Sequence, residues 1–379
     1  MTEMTRRERT LASARKERAD KLPFFHYWRH IQDGWAERES RNRGMGLNWT
    51  RPSYVSKMHG VEVTTKQVQP RPGELVTRRT YTTPVGTIFS DIKQDPGTGQ
   101  HKLTRSWKAV SPWEPNRLLK GPEDYKVMKY IVENTEYEAD YFPIEQAMDW
   151  LGDDGVVMDS LPHSPMQMLM IDWVGSEEGR YFYHQVDFPE IVEDLYETIS
   201  KCREPMYEIT AKSPAKVALC GDNVDGFLVS PKQFEKFFMP EYEKQAKVMH
   251  ENGKLMAVHM DGRLRSLKDL IARTPIDIVE AVHPPPMGDL PIGEALDAWK
   301  DKTLWLGYPA SVFEEGPKAT IKHALDLLRD VGTGERLAIA MSTENQVPNE
   351  YLMVLTSVFE NAELPLTPDK IDAIERSLN

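Results

Sequence analysis

Short apolar runs alternate with stretches of helical apolar spacing through the second half of the chain. Each apolar run is followed by polar or glycine residues before the next helical stretch begins. Short runs joined by helices predict parallel strands, and the carboxyl ends of such strands are where (β/α)₈ barrels build active sites. The predicted strand ends are Cys220-Gly221-Asp222-Asn223, Val258-His259-Met260-Asp261-Gly262, Val279-Glu280-Ala281-Val282-His283, Leu306-Gly307-Tyr308 and Met341-Ser342-Thr343-Glu344.

Helix boundaries in this region are well marked. Ser230 is a good N-cap and Pro231 a good first helical residue, so a helix should run from there to about Asn252 and end at Gly253. We therefore predict an α/β fold, a (β/α)₈ TIM barrel, for residues 119–379. The other predicted elements are strands at 213–223, 255–259, 276–281, 303–306 and 337–341, and helices at 264–273, 292–300, 317–331 and from about 348.

The first 118 residues have a different pattern and are predicted to be an extension of the barrel. Residues 1–45 are highly charged and read as a helical segment, within which the apolar and aromatic residues 22–28 should pack on or enter the barrel. Residues 60–112 contain alternating β-rich runs interrupted by Pro and Gly, which predicts a small antiparallel β-meander.

Composition narrows the function classes. The 379 residues carry a net charge of −12, which argues against nucleic acid as a partner, since that binding needs a basic face. No apolar run is long enough to cross a bilayer, and the polar N-terminus lacks a signal-peptide core. With Cys202 and Cys220 as its two cysteines, the chain has no disulfide framework, so we expect a cytoplasmic protein.

Three residues form the leading candidate site. His259 and Asp261 are two positions apart on one strand, so their side chains point to the same side, and Glu280 ends the next strand. A histidine with two carboxylates is a plausible zinc set that leaves one position open for substrate. In the alternative, His259 is hydrogen-bonded to Asp261 and Glu280 pairs with Arg263 or Arg265, with a purely structural role.

Further polar residues extend this candidate site. Asp222 and Asn223 are candidates for catalysis or for binding substrate hydroxyls, with capping of their loop as the alternative. Glu344 is a candidate final metal ligand or a neighbour of the ligands, with a loop turn as the alternative. Neither a phosphate-binding G-x-x-x-x-G-K-[ST] motif nor G-x-S-x-G occurs. Candidates for substrate binding, some of which could instead pack in an aromatic cluster, are His26, Tyr27, His163, His283 and Tyr308.

The segment Gly221-Asp222-Asn223, the run from Gly226 to Glu235 and the segment His259-Met260-Asp261-Gly262 together resemble the uroporphyrinogen decarboxylase superfamily. The resemblance covers roughly residues 120–379 and implies a (β/α)₈ barrel. True decarboxylases of this superfamily hold their substrate with an early R-Q-A-G-R signature, whereas the corresponding segment here, residues 24–29, has a single arginine. The chain is therefore closer to the corrinoid-dependent zinc methyltransferase branch.

The resemblance also assigns roles to residues. In that branch, metal ligands come from an H-x-C strand and a late Cys, and related methionine synthases add a Glu. Here His259 matches the histidine, Asp261 stands at the first Cys, Glu280 at the Glu, and 342–344 at the late Cys. Zinc held without thiolates is a harder Lewis acid, which suits oxygen or nitrogen in the substrate.

The leading hypothesis is thus a corrinoid-dependent methyltransferase of demethylase type. It would move a methyl group from an O- or N-methylated small molecule to a Co(I) corrinoid. The chain lacks the cobalamin-binding motif D-x-H-x-x-G, so the cobalamin should arrive on a separate partner protein. The alternatives are a metal-free, decarboxylase-like lyase that uses Asp222, and a non-catalytic barrel that binds a corrinoid or tetrapyrrole. The sequence leaves open whether the chain forms a homodimer.

Overall fold

Strands and helices alternate through most of the chain. The computed structural model describes residues 3–93, 113–341 and 347–378. In these residues the strands are β1 (Phe24–Tyr27), β2 (Gly46–Arg51), β3 (Tyr54–Met58), β4 (Glu62–Arg71), β5 (Glu74–Thr83), β6 (Gly86–Lys93), β7 (Trp113–Asn116), β8 (Thr135–Ala139), β9 (Gly155–Leu161), β10 (Val217–Cys220), β11 (Leu255–His259), β12 (Ile278–Val282), β13 (Thr303–Gly307) and β14 (Leu337–Ala340).

Eight of these strands close into a barrel in the order β1-β2-β9-β10-β11-β12-β13-β14 and back to β1. Every neighbouring pair is parallel, including β11 with β12, in which His259 is in register with Glu280. The predicted (β/α)₈ fold class is confirmed.

The barrel begins earlier than the predicted boundary at residue 119. Its first two strands are β1 and β2, which lie in the segment assigned to the N-terminal extension. Strands this short cannot be told from helix or loop by periodicity alone. The apolar residues 22–28 thus do enter the barrel, and they do so as one of its strands.

An antiparallel sheet lies outside the barrel, as the alternation in residues 60–112 predicts. Strands β4, β5, β6 and β7 form it in that order, and β3 pairs separately with β8. Most of β4 is exposed or half-buried on both faces, so this sheet contributes little to the main core. Residues 94–112 of the predicted meander lie outside the described residues.

Helices surround the barrel and connect its strands. The predicted helix after Ser230 is present: the Ser230 side chain accepts a hydrogen bond from the backbone N–H of Gln233, and Pro231 occupies the first helical position. A π-helical turn at Phe234–Phe238 joins the short helix α9 (Pro231–Gln233) to α10 (Met239–Glu251). The helices are α1 (Arg6–Ala14), α2 (Trp35–Asn42), α3 (Pro122–Glu133), α4 (Phe142–Leu151), α5 (Pro165–Met168), α6 (Arg180–Asp187), α7 (Pro189–Cys202), α8 (Glu204–Lys212), α9 (Pro231–Gln233), α10 (Met239–Glu251), α11 (Lys268–Arg273), α12 (Ile292–Ala298), α13 (Pro317–Asp330), α14 (Asn349–Phe359) and α15 (Pro368–Ser377).

Side chains fill the barrel interior, so the barrel is a packed core. Phe25, Ile278 and Trp305 belong to one inner cluster, and the rings of Phe25 and Trp305 meet edge to face with centroids 5.4 Å apart. This packing leaves the space for a ligand at the carboxyl ends of the strands. Among the described helices, none combines the length and apolar character needed to cross a membrane.

Candidate functional site

A cavity of about 770 Å³ opens at the carboxyl ends of the barrel strands. Its wall contains residues at or just beyond the ends of β1, β2, β9, β10, β11 and β12, together with Glu114 of β7 and Arg117. This is the end of the barrel at which (β/α)₈ enzymes carry their reactive groups. Residues that line it include Tyr27, Asn48, Asn223, His259, Asp261 and Glu280.

His259 lies at the centre of a hydrogen-bonded cluster in this cavity. Its Nδ1 is 2.5 Å from Oε2 of Glu280, and its Nε2 is 3.5 Å from Oδ2 of Asp261. The other oxygen of Glu280 accepts a hydrogen bond from the hydroxyl of Tyr27. Strands β1, β11 and β12 thereby bring Tyr27 and Glu280 to the pair His259 and Asp261, which lies at the end of β11.

The electrostatics of the cluster follow from burial and from opposite charges. Burial alone would lower the pKa of His259, but the Glu280 and Asp261 carboxylates outweigh it and raise that pKa to about 10. Burial favours the neutral form of Asp261, yet its bond with His259 holds the pKa below the usual value. Burial and the charge of Glu280 raise the pKa of Tyr27. At neutral pH, His259 is therefore a cation, and its two ring N–H groups point to the Glu280 and Asp261 carboxylates.

The backbone is distorted where Glu280 meets the cavity. Ala281 has a φ of 64°, and the register of β12 against β13 shifts between Glu280 and Val282. A bulge of this kind redirects the side chains that follow it, and strained residues of this kind cluster at functional sites. Here it carries the chain to His283, which is buried beside Gly307.

Gly307 makes room for the His283 ring. A Cβ at position 307 would lie 2.4 Å from Cε1 of His283, closer than real side chains approach. Burial lowers the pKa of His283, although the charge of Asp261 partly opposes this. The structure thus places His283 within the electrostatic reach of the His259 cluster, behind the wall of the cavity.

The predicted zinc ligands are brought together, but they bind one another. His259 lies between the two carboxylates and uses both ring nitrogens toward them, so the three side chains do not point their lone pairs at one shared position. Within the part of the chain that is described, no group of three or more His, Cys, Asp or Glu side chains is arranged to hold a metal ion. Glu344 lies outside the described residues. The arrangement as described does not fit a zinc centre.

Asp222 ends its strand near the cavity but faces away from it. Its Oδ1 accepts a hydrogen bond from the backbone N–H of Ser164 at 2.6 Å, and its Oδ2 accepts one from the Tyr242 hydroxyl at 2.7 Å. The side chain is fully buried, and burial raises its pKa. Asn223 lines the cavity, and its carbonyl accepts a hydrogen bond from Gln167. Asp222 therefore anchors a loop, whereas Asn223 reaches the site.

Besides His283, two more predicted substrate-binding residues, His26 and Tyr308, lie outside the cavity wall. Tyr27 faces the barrel interior, so its neighbour His26 faces the surrounding helices, where burial lowers the pKa of His26 to about 4. Tyr308 is buried, stacks on Phe313 and donates its hydroxyl proton to the carbonyl of Thr320. His26 does not line the cavity because alternate residues of a strand face opposite sides, and Tyr308 does not line it because it packs against α13.

His163 does line the cavity, in the loop after β9. Its Nδ1 lies 2.7 Å from Oδ2 of Asp172, and its carbonyl accepts a hydrogen bond from Arg203. Burial favours the neutral ring, but Asp172 outweighs this and raises the pKa of His163. A second histidine–carboxylate pair thus lies in the wall of the same cavity.

Sequence reasoning missed the contributions of β1 and β2 to the cavity. Arg29, Asn48 and Arg51 line it, and Arg51 also stacks over Trp49, with its guanidinium carbon 4.3 Å from the ring centroid. Trp49 in turn stacks on Trp28. The alternation of apolar and polar residues across 46–51 is a strand signal from which these residues could have been found.

Comparison with known proteins agrees with the barrel architecture. The structure is similar to a methyltransferase from Methanosarcina mazei, with a TM-score of 0.53 and 14% sequence identity, covering 94% of this chain and 98% of that chain. A spore cortex-lytic enzyme from Bacillus megaterium gives a TM-score of 0.32 at 11% identity, covering 90% of this chain and 74% of that chain. This TM-score is too low to support a shared fold. No model of a protein family matches the chain, and no curated protein matches it significantly. At this identity the similarity shows the shared fold.

Proposed function

We propose that this protein is a methyltransferase of demethylase type, which moves a methyl group from an O- or N-methylated small molecule to a Co(I) corrinoid on a separate protein. The observation that carries the proposal is the convergence of His259, Asp261, Glu280 and Tyr27 in one cavity at the carboxyl end of the barrel. The likeness in fold to a methyltransferase supports the same reaction class.

The cavity residues have separate tasks in this proposal. The Nε2–H group of His259, whose partner Asp261 is 3.5 Å away, would donate a hydrogen bond to the oxygen or nitrogen that carries the methyl group and so ease its departure. Glu280 fixes the ring orientation through Nδ1, and Tyr27 in turn fixes Glu280. When bound, the partner's corrinoid supplies the nucleophile that accepts the methyl group. A cavity that is open at one end of the barrel leaves a face at which such a partner can dock.

Zinc binding by His259, Asp261 and Glu280 remains a prediction from the resemblance. Because the three side chains pair with one another as described, none of the tasks above depends on a metal. Metal analysis of the purified protein, before and after chelation, tests the zinc prediction. A content of one zinc per chain in wild-type protein, lost in the His259→Ala variant, would support the prediction. A content below about a tenth of a zinc per chain in wild-type protein would contradict it.

The lyase alternative depends on Asp222 as the charged group beneath a substrate. Both oxygens of Asp222 are already hydrogen-bonded, and the side chain does not line the cavity. The structure therefore offers this alternative no reactive carboxylate at position 222. The corrinoid-binding alternative without catalysis makes its own prediction, namely tight corrinoid binding with no turnover.

The test is methyl transfer to reduced cobalamin. Purified protein is mixed with Co(I) cobalamin and a panel of methyl ethers and methylamines, and the cobalamin absorbance spectrum is followed. Conversion of the Co(I) spectrum to that of methylcobalamin with one of these donors is the expected result. If no donor reacts and a thiol is methylated from methylcobalamin instead, the demethylase assignment is wrong.

A further inference from the structure

The wall of the cavity contains a buried amide that the protein itself leaves unused. Asn48 lies in β2, in register with Tyr27 of β1, and its side chain is 1% exposed. Within residues 3–93, 113–341 and 347–378, neither Nδ2 nor Oδ1 of Asn48 has a hydrogen-bond partner. Buried polar side-chain atoms in folded proteins are nearly always hydrogen-bonded. An unpartnered amide on the wall of a cavity therefore points to a ligand that completes it.

We propose that Asn48 binds a neutral amide group, a carboxamide or a lactam, of the small molecule that occupies the cavity. The Asn48 amide presents two donors at Nδ2 and an acceptor at Oδ1. A carboxamide or lactam has an acceptor beside a donor and so satisfies both atoms at once. A carboxylate offers acceptors only, which would leave Oδ1 of Asn48 buried without a donor.

The charged side chains that line the cavity do not by themselves select between a neutral group and an anion at Asn48. Tyr27, its register partner, donates its hydroxyl proton to Glu280, a carboxylate that is 1% exposed. Glu280 is in turn paired with the protonated His259, so it does not by itself repel a ligand carboxylate at Asn48. Arg29 and Arg51 also line the cavity and would attract an anion. The choice of a neutral amide therefore rests on Oδ1 of Asn48, which needs a hydrogen-bond donor that a carboxylate lacks.

This inference names a substrate class for the same cavity, and it rests on the proposed function only in taking that cavity as the place where the methyl donor binds. The methyl donor would then be an O- or N-methylated molecule with an amide at one end. The amide would bind at Asn48, and the methylated heteroatom would face His259. The binding claim itself requires no turnover, so it is tested separately from methyl transfer.

Three probes of similar shape provide the test: 4-methoxybenzamide, 4-methoxybenzoate and anisole. Each is titrated into the full-length chain by ligand-observed NMR. In wild-type protein the benzamide should bind more tightly than both other probes. Asn48→Leu, which keeps the side-chain size but removes both polar atoms, should weaken benzamide binding about tenfold and leave anisole binding unchanged. Preference for the benzoate, an equal affinity of both proteins for the benzamide, or no benzamide binding to wild-type protein would each overturn the proposal.

Thermal unfolding separates a binding role from a structural one. Because Asn48 has no partner in the described residues, Asn48→Leu should keep or raise the melting temperature. Gln167 is the matched control: it is also a buried amide, but its Nε2 donates to the carbonyl of Asn223 at 2.9 Å, so Gln167→Leu should lower the melting temperature. An equal loss in both variants would mean that Asn48 is structural, and the proposal would fail.

Two further measurements keep the outcome decisive. Asn48→Ala repeats the titrations with a smaller side chain, so that misfolding of one variant does not prevent the test. Methyl transfer is then assayed with the same three probes. Selective benzamide binding without any methyl transfer would contradict the proposed function alone. Methyl transfer from anisole and the benzoate with no advantage for the benzamide would contradict the inference alone.

Discussion

Two carboxylates lie at the same end of the barrel and are almost equally buried, yet their side chains point in opposite directions and have different partners. Glu280 points into the cavity and binds His259 and Tyr27, whereas Asp222 points outward and holds Ser164 and Tyr242. The difference comes from strand parity, since Leu219 belongs to the inner cluster and an inward Leu219 makes residue 222 face outward. A polar residue at a strand end is therefore a site residue only when its parity directs it inward.

The largest loss of stability should come from removing the carboxylate of Asp222, which points away from the cavity. Asp222→Ala leaves the Ser164 N–H and the Tyr242 hydroxyl buried without an acceptor, which should lower the free energy of unfolding by about 3–5 kcal/mol. Urea unfolding followed by circular dichroism measures this. Asp225→Ala is the matched control, since Asp225 is half-buried and accepts one bond, from the N–H of Phe227, and should cost about 1 kcal/mol. Equal losses in the two variants would contradict a structural role specific to Asp222.

A smaller loss of stability should follow from crowding the His283 ring next to Gly307. Gly307→Ala places a methyl group against the His283 ring, so the ring or strand β13 must shift, at a cost of about 1–3 kcal/mol. Gly221→Ala, at the same end of the barrel, meets only an ordinary contact with the carbonyl of Leu161 at 3.8 Å and should change stability by less than about 0.5 kcal/mol. Crystal structures of both variants would show whether His283 alone moves. An unchanged His283 and unchanged stability in Gly307→Ala would contradict the packing described.

The third effect is a pH dependence of stability that belongs to the His259 cluster. The folded-state pKa of His259 is about 10, above the ordinary value of 6.5, so the folded state holds a proton that the unfolded state releases. The resulting stabilisation is complete below about pH 6.5 and is lost as the pH rises toward 10, with a slope of at most about 1.4 kcal/mol per pH unit. Unfolding of chelator-treated protein from pH 7 to 10 should show this slope in wild-type protein and a shallower one in His259→Gln. Identical slopes would mean that His259 does not hold the extra proton.

The sequence was sufficient to predict the fold class and the centre of the candidate site. Helix caps such as Ser230-Pro231 and the alternation of runs after residue 213 predict a parallel barrel, and the two-residue spacing of His259 and Asp261 predicts that they share a side. Adjacent strand ends then bring Glu280 beside His259. These inferences depend on local patterns that survive folding unchanged.

Other features depend on information that no local pattern contains. The four residues of β1 are too few to reveal a period of two. The barrel predicted from the sequence therefore begins too late in the chain, and the predicted site lacks Arg29 and Asn48. The phase of β10, which turns Asp222 outward, is fixed only by packing against its neighbours. The bulge at Ala281 sets the direction of His283, and its positive φ is imposed by tertiary contacts.

The most direct test compares the methyl-transfer activity of variants in the inward-facing His259 cluster and at the outward-facing Asp222. The rate of methyl transfer to Co(I) cobalamin is measured for wild-type protein, His259→Ala, Asp222→Asn and the surface control His250→Ala, at a temperature where all four are folded. We predict a loss of about 10²–10³-fold for His259→Ala, since it removes the donor at the reacting heteroatom, and rates within about threefold of wild type for the other two. A His259→Ala rate equal to wild type, or an equal loss in Asp222→Asn, would contradict the assignment of catalysis to the inward-facing cluster.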